Sequence, residues 1–287
     1  MRSMRPDKDI AVKKIKIEAH GRKIPALVLS RAIENRTENA PGILWLHGGG
    51  YILGMKEMVH MGRAADLVKK HGAVVISPGY RLAFQAPYPA AINDCYDALL
   101  YVKNHAEELC IRDDQIMVGG ESAGGGLCAA LAMMARDKGE VRIAYQMPLY
   151  PMIDNFDTES SRNNHGRVWN TGRNHFAWRI YLRKDAKKEV SPYAAPARQT
   201  DFSGLPPAYT FVGDGEPFYQ ETLDFVENLK KAGVEANVDV YPSDMHAFDM
   251  MKPDLEVSRQ AIRKFNEKFE YAKNYYFARQ ISPGESL

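Results

Sequence analysis

The chain has 287 residues, 45% of them hydrophobic and 26% charged, which is enough to bury a core without disulfides or metals and argues against a wholly disordered chain. Its formal charge of +2 gives no reason to expect a polyanionic partner, so nucleic acid and charged membrane surfaces are set aside. The longest apolar runs fall short of the ~20 residues that a membrane-spanning helix needs.

In chain order, Ala11 to Ala19 alternates between apolar residues and lysines and predicts a half-exposed strand. Ile24 to Ser30 predicts a second strand, and the polar stretch Arg31 to Ala40 a loop. Ile43-Leu44-Trp45-Leu46 is a short, fully apolar strand that runs into Gly48-Gly49-Gly50. Glu57 to Lys70 predicts a helix ended by Gly72, and Ala73 to Ser77 another apolar strand. A helix over Ala90 to Leu109, a strand over Gln115 to Val118, a helix over Ser122 to Lys138 and a strand over Ile143 to Leu149 follow. From about 155 to 198 the chain turns polar and aromatic; only Asn174 to Leu182 looks helical. The alternation resumes with a strand over Ala208 to Val212, a helix over Pro217 to Ala232 and a strand over Ala236 to Tyr241. A last helix covers about Leu255 to Tyr271, and the tail after Ser282 is expected to fray.

Short apolar strands alternating with helices form the pattern of a mostly parallel sheet covered on both faces. The expectation is a single α/β domain over 1–287. Its 155–198 segment, which interrupts the pattern without a strand signal, is read as an insertion over the active site. Cys95, Cys110 and Cys128 show no CxxC spacing, and an odd number cannot pair completely, so reduced thiols are expected. The first ten residues are too polar for a signal peptide, which points to the cytoplasm.

Gly120-Glu121-Ser122-Ala123-Gly124 lies between an apolar strand and a helix, the setting that a nucleophile elbow requires. The two glycines permit a sharp turn with Ser122 at its apex; the bland alternative is a glycine-rich turn with a capping serine. His47-Gly48-Gly49-Gly50-Tyr51 ends an apolar strand. Its glycines leave backbone N–H groups bare, as in an oxyanion hole. A phosphate-cradling loop fails because no Gly-Lys-Ser/Thr follows. The Ser-acid-His chain order of such hydrolases needs a late histidine, and His246 is the only one after His175. The acid belongs in the loop after the Ala208 strand, where Asp214 and Glu216 compete; either could instead cap the following helix. No HExxH motif and no cluster of His with carboxylates suggests a metal.

These motifs together resemble the hormone-sensitive-lipase-like branch of the α/β-hydrolases. Tyr80-Arg81-Leu82-Ala83, Pro87-Tyr88-Pro89-Ala90-Ala91 with Asp94, and Ser203-Gly204-Leu205-Pro206-Pro207-Ala208 extend the resemblance over about Pro41 to Asp249. The resemblance implies an α/β-hydrolase fold with a small helical cap, here expected from about 1–20 and from the 155–198 insertion. It implies Ser122 as nucleophile, the amides of Gly49, Gly50 and Ala123 as oxyanion donors, and His246 as base. The family's acid stands before a Pro-Leu or Pro-Phe pair, which selects Glu216 over Asp214. Gly48, Tyr51, Phe218 and Phe248 are expected near the substrate. The family's usual residues are replaced at Glu121, Glu216, Ala247 and Phe84-Gln85, without loss of a catalytic group. The implied function is a cofactor-free serine carboxylesterase of a bacterial acetylesterase-like kind, acting on short-chain esters. A deacetylase of sugar esters or an amidase shares the same triad, and a non-catalytic binding protein is the remaining alternative. The partners left open are a small-molecule ester and, as a homodimer, a second copy of the chain.

Overall fold

A computed structural model describes residues 4–32, 38–183 and 189–280. The tail beyond Ser282 and the middle of the Arg31 to Ala40 loop lie outside the described residues. Eight strands form one sheet: β1 (Ile10–Ala19), β2 (Arg22–Arg31), β3 (Ala40–Leu46), β4 (Val74–Pro78), β5 (Ile111–Glu121), β6 (Tyr145–Leu149), β7 (Ala208–Gly213) and β8 (Ala236–Tyr241). Their order across the sheet is β1-β2-β4-β3-β5-β6-β7-β8. β2 runs antiparallel to both β1 and β4, and the remaining pairs are parallel. The helices are α1 (Ala64–His71), α2 (Ala90–Asn104), α3 (Ala123–Lys138), α4 (Thr171–Leu182), α5 (Tyr219–Lys231), α6 (Phe248–Met251) and α7 (Glu256–Tyr275).

The inner strands β3, β4, β6 and β7 are buried on both faces, and successive residues of one strand supply opposite cores. In β3, Leu44 and Leu46 pack with Ile92, Leu99, Leu127 and Leu229 under α2, α3 and α5. Ile43 and Trp45 pack with Leu67, Val68, Phe265 and Phe269 under α1 and α7. Trp45 stands opposite Gly119 of β5, and a Cβ on Gly119 would strike the Trp45 ring. The missing side chain is what lets a tryptophan lie between these central strands. With β3 and β5 adjacent, the loop after Leu46 and the turn after Glu121 emerge side by side at the carboxyl edge of the sheet, where α/β folds place their ligands.

Three expectations are corrected. Most of the 1–20 stretch expected in the cap is strand: Ile10–Ala19 pairs along its length with β2 at the outer edge of the sheet. Ile10 and Ile17 are buried there while Lys13, Lys14 and Lys16 face solvent. The helix expected over Glu57 to Lys70 is split into a 3-10 turn at Lys56–His60 and α1. The break falls at Gly62, where a Cβ would collide with the Glu121 carboxylate. The helix expected to reach Leu109 ends at Asn104, and β5 begins earlier than expected, at Ile111.

The glycines of the β5-α3 turn are steric requirements. A Cβ on Gly124 would fall on the carbonyls of Leu46 and His47, and one on Gly120 on those of Leu46 and Gly124. Gly139, which ends α3 at φ 67°, has open space around it. Gly124→Ala should therefore cost about 3 kcal/mol, the upper end for overpacking, whereas Gly139→Ala should cost about 1 kcal/mol for its left-handed backbone alone. Thermal unfolding of the two variants checks the ranking, and equal losses would contradict it.

Candidate active site

Ser122 sits at φ 58° and ψ −119° between β5 and α3. A non-glycine residue in this region is strained and persists only where its surroundings over-determine it. Here three hydrogen bonds hold it: Ser122 N–H donates to Leu149 O at 3.0 Å, and Ser122 O accepts from Gly126 N at 2.9 Å and Met152 N at 3.0 Å. The side chain makes no capping bond to α3. Its Oγ instead lies 2.9 Å from His246 Nε2.

His246 follows β8 and is 4% exposed. Its ring is held at both edges, by Phe218 with centroids 4.9 Å apart and by Tyr150 at 5.2 Å. Its Nδ1 is hydrogen-bonded to Glu216 Oε2. Glu216 is fully buried, which pushes its carboxyl pKa up; the His246 imidazole opposes that rise and Asp249 adds to it. Asp214 does not reach His246. It is exposed, and its Oδ1 accepts from Ser243 N at 3.0 Å, tying the two loops together. Ser122, His246 and Glu216 thus form one hydrogen-bonded line; Asp214 stands outside it.

The glycine loop lies against this line. A Cβ on Gly48 would meet Ser122 Cβ at 3.3 Å and Glu121 O at 3.0 Å. Among the described residues no hydrogen bond engages the amides of Gly49, Gly50 or Ala123. The loop's orientation comes from behind. His47 Nδ1 lies 2.8 Å from Gly48 O, a contact that requires the proton on Nδ1. Because the peptide is planar and trans, a Gly48 carbonyl directed at His47 turns the Gly49 N–H the opposite way. The His47 ring is stacked on Tyr80 at 4.2 Å, whose hydroxyl donates to His47 O at 2.6 Å. The motif makes His47 visible in the sequence, but only the fold shows that it acts on its neighbour's carbonyl.

The residues expected near the substrate separate. Gly48 is against Ser122. Phe218 touches His246 and lies 6.4 Å from the Trp169 ring. Tyr51 is buried with its hydroxyl donating to Met152 O at 2.5 Å, and its ring is stacked on Tyr181 of α4; its polar end is committed to the backbone. Phe248 packs on Phe211 and Tyr241 in the core shared with Trp45, so it is accounted for as core. Trp169, from the 155–198 segment, lies against the glycine loop: a Cβ on Gly50 would overlap its ring. Its Nε1 donates to Asn174 Oδ1 at 3.2 Å. Nothing in the local pattern around Trp169 distinguishes it from a core tryptophan.

Among the described residues no three His, Cys, Asp or Glu side chains come together as a metal site, and no helix is long and apolar enough to cross a membrane.

Comparison with known proteins places the chain in a family. The family described as alpha/beta hydrolase fold matches residues 43–250. The carboxylesterase NlhH of Mycobacterium tuberculosis is 31% identical over 74% of this chain and 67% of its own length. An ethyl acetate hydrolase of Pseudomonas putida is 28% identical over 77% of this chain and 70% of its own. Among solved structures, a bacterial heroin esterase superposes with a TM-score of 0.88 at 30% identity, over 94% of this chain and 86% of that one. The match spans 66% to 67% of the length of several curated relatives, about two thirds. The chain belongs to the α/β-hydrolase family, in the hormone-sensitive-lipase-like branch that includes these carboxylic ester hydrolases.

The buried His47 has a consequence for acid stability. Burial lowers its pKa from 6.5 to about 4. The unfolded chain therefore takes up a proton below about pH 6.5 that the folded chain refuses until about pH 4, and stability is lost as the pH falls through that window. The contribution is about 3 kcal/mol at most. Denaturant unfolding of wild type and His47→Asn at pH 7 and pH 4.5 should show the smaller acid loss in the variant. Equal losses would contradict the assignment.

Proposed function

We propose that this chain is a serine carboxylesterase that hydrolyses short, neutral acyl esters through an acyl-enzyme. The observation that carries the reading is the line Ser122 Oγ, His246 Nε2, His246 Nδ1, Glu216 Oε2, set beside a glycine loop with unengaged amides. His246 takes the proton of Ser122 as the hydroxyl attacks the ester carbonyl. Glu216 keeps the His246 proton on Nδ1, so that Nε2 is free to accept, and stabilises the imidazolium that forms. The oxyanion is received by the amides of Gly49, Gly50 and Ala123, each donor worth about 3 kcal/mol in the transition state. His246 then returns the proton to the leaving alcohol, and water repeats the sequence to free the acid.

Trp169 and α4, from the 155–198 segment, supply the cap. Trp169 against Gly50, with Phe218 beside it, supports a limit on the acyl length accepted close to the carbonyl. The relatives support ester chemistry, and one of them is named for a two-carbon acyl group. A deacetylase of sugar esters and an amidase remain readings with the same three residues. They separate by assaying acetylated sugars and anilides beside simple esters.

Ser122→Ala should lower kcat by roughly 10⁴-fold or more with little change in folded fraction, as deletion of a triad nucleophile does. Glu216→Gln should cost about 10⁴-fold, since the imidazole is then held in the wrong tautomer. Asp214→Asn should cost far less, and Glu216→Asp should keep partial activity. A silent Asp214→Asn beside an active Glu216→Gln would move the acid to Asp214. Across a series of p-nitrophenyl esters, kcat/KM should peak between acetyl and hexanoyl. A peak at long acyl chains would contradict the small cap.

A further inference from the structure

The triad and the glycine loop leave one feature next to them unused, a cluster of charged side chains sealed from solvent. Its centre is Arg63, at the start of α1, with a side chain 0% exposed. Arg63 Nη1 donates to Asp66 Oδ2 at 2.9 Å. Arg63 Nε lies 3.0 Å from Asp249 Oδ2, itself fully buried. The Arg63 backbone N–H donates to Glu121 Oε1 at 3.4 Å, and Trp45 Nε1 donates to the other oxygen of Glu121 at 2.8 Å.

The partners of this one residue belong to different parts of the site. Glu121 immediately precedes Ser122 and ends β5. Asp249 lies on α6, three residues after His246. Asp249 Oδ1 also accepts from the Tyr150 hydroxyl at 3.0 Å, and the Tyr150 ring is the one that stands edge-on to His246. Gly62 closes the arrangement: its missing side chain is the space that the Glu121 carboxylate occupies. The nucleophile turn and the histidine loop come from strands β5 and β8, which are not neighbours in the sheet. No hydrogen bond of the sheet sets their separation directly.

We propose that Arg63 is a positioning residue for the reaction: its backbone N–H holds the Ser122 turn, through Glu121, and its buried guanidinium holds the His246 loop, through Asp249 and Tyr150, so that one residue sets their separation. This rests on the triad reading above. Stability alone is a poor explanation for the cluster. A buried ion pair replaced by apolar side chains of similar volume is often neutral or stabilising, because two desolvation penalties disappear with it. An apolar replacement keeps the backbone bond to Glu121 but cannot supply the ionic contact that ties the start of α1 to the histidine loop. Misplacing the histidine relative to the serine by a fraction of an ångström to an ångström is what the reaction tolerates least.

The test uses Arg63→Met, Arg63→Lys, Tyr150→Phe and the double variant Arg63→Met with Asp249→Asn. Each is assayed with p-nitrophenyl acetate, with competent sites counted by a fluorophosphonate and folding followed by circular dichroism. Arg63→Met should lower kcat per titrated site by about tenfold to a hundredfold with KM nearly unchanged. Arg63→Lys, which keeps the charge but not the planar fork that meets Asp66 and Asp249 together, should recover part of that loss. Tyr150→Phe, which keeps the ring against His246 and removes only the hydroxyl that donates to Asp249, should lose several-fold in kcat while folding as wild type. The double variant should regain stability without regaining rate. If Arg63→Met fails to fold, Arg63→Lys and Tyr150→Phe decide the question. Folded variants within about threefold of wild type per site, or a double variant that regains full rate, would overturn the proposal. A wild-type chain that neither hydrolyses the ester nor reacts with the fluorophosphonate overturns the esterase reading itself, and the role of Arg63 with it.

Discussion

At Ser122 the backbone leaves a central strand with φ at 58°, a conformation that an L-residue adopts only when its neighbours leave no alternative. The surroundings supply that compulsion. Gly120 and Gly124 lie so close to the end of β3 that neither could carry a side chain. The peptide of Ser122 is bonded on one side to Leu149 and on the other to Gly126 and Met152. The strain lifts the hydroxyl clear of the sheet and of the α3 N-terminus, so it makes no cap and remains free for His246. The glycine loop must then end on the neighbouring strand, because only there can Gly48 lie against Ser122. The histidine must arrive from beyond β6, on a loop whose position the sheet does not set directly. Much of the polar chemistry buried around the turn answers one of these two needs.

The buried carboxylates show how the same low-dielectric setting is handled in different ways. Glu216 is held by the His246 imidazole, and its second oxygen has no hydrogen-bond partner among the described residues. Glu121 has two N–H donors, from Trp45 and Arg63, yet burial still pushes its pKa up to about 8. Asp249 has a cation and a phenol, and burial still raises its pKa. In each case desolvation favours the protonated acid, and the partners recover part of that penalty for the charged form.

Much of this was legible in the sequence, and the rest was not for definable reasons. Apolar strands of four to seven residues alternating with helices reveal a two-faced sheet, and Gly-Glu-Ser-Ala-Gly at a strand-helix junction places Ser122. The order of the strands is not local information, so Ile10–Ala19 reads as a strand without revealing that it forms the far edge of the sheet. The helix over Glu57 to Lys70 has good periodicity, but a tertiary contact breaks it: Gly62 must stand beside a carboxylate 59 positions later in the chain. Tyr51 and Phe248 flank the motifs and read as lining for a substrate, yet adjacency along the chain does not say which way a ring points, and both are committed to packing. The choice between Asp214 and Glu216 was open from the residues alone. Burial separates them in the structure, because only the carboxyl shut away from water lies against the imidazole. Arg63 carries no local mark at all, since an arginine at the start of an amphipathic helix reads as solvated until the fold closes over it.

The central claim is that Ser122 is the atom donor of a covalent intermediate, and trapping that intermediate tests it most directly. The protein is mixed with p-nitrophenyl acetate, quenched in acid during the burst, and digested for peptide mapping by mass spectrometry. A single acetyl group on the peptide containing Ser122, absent from a Ser122→Ala control, is the expected result. Hydrolysis without any acetylated peptide, or an acetyl group carried by another residue in both proteins, would contradict it.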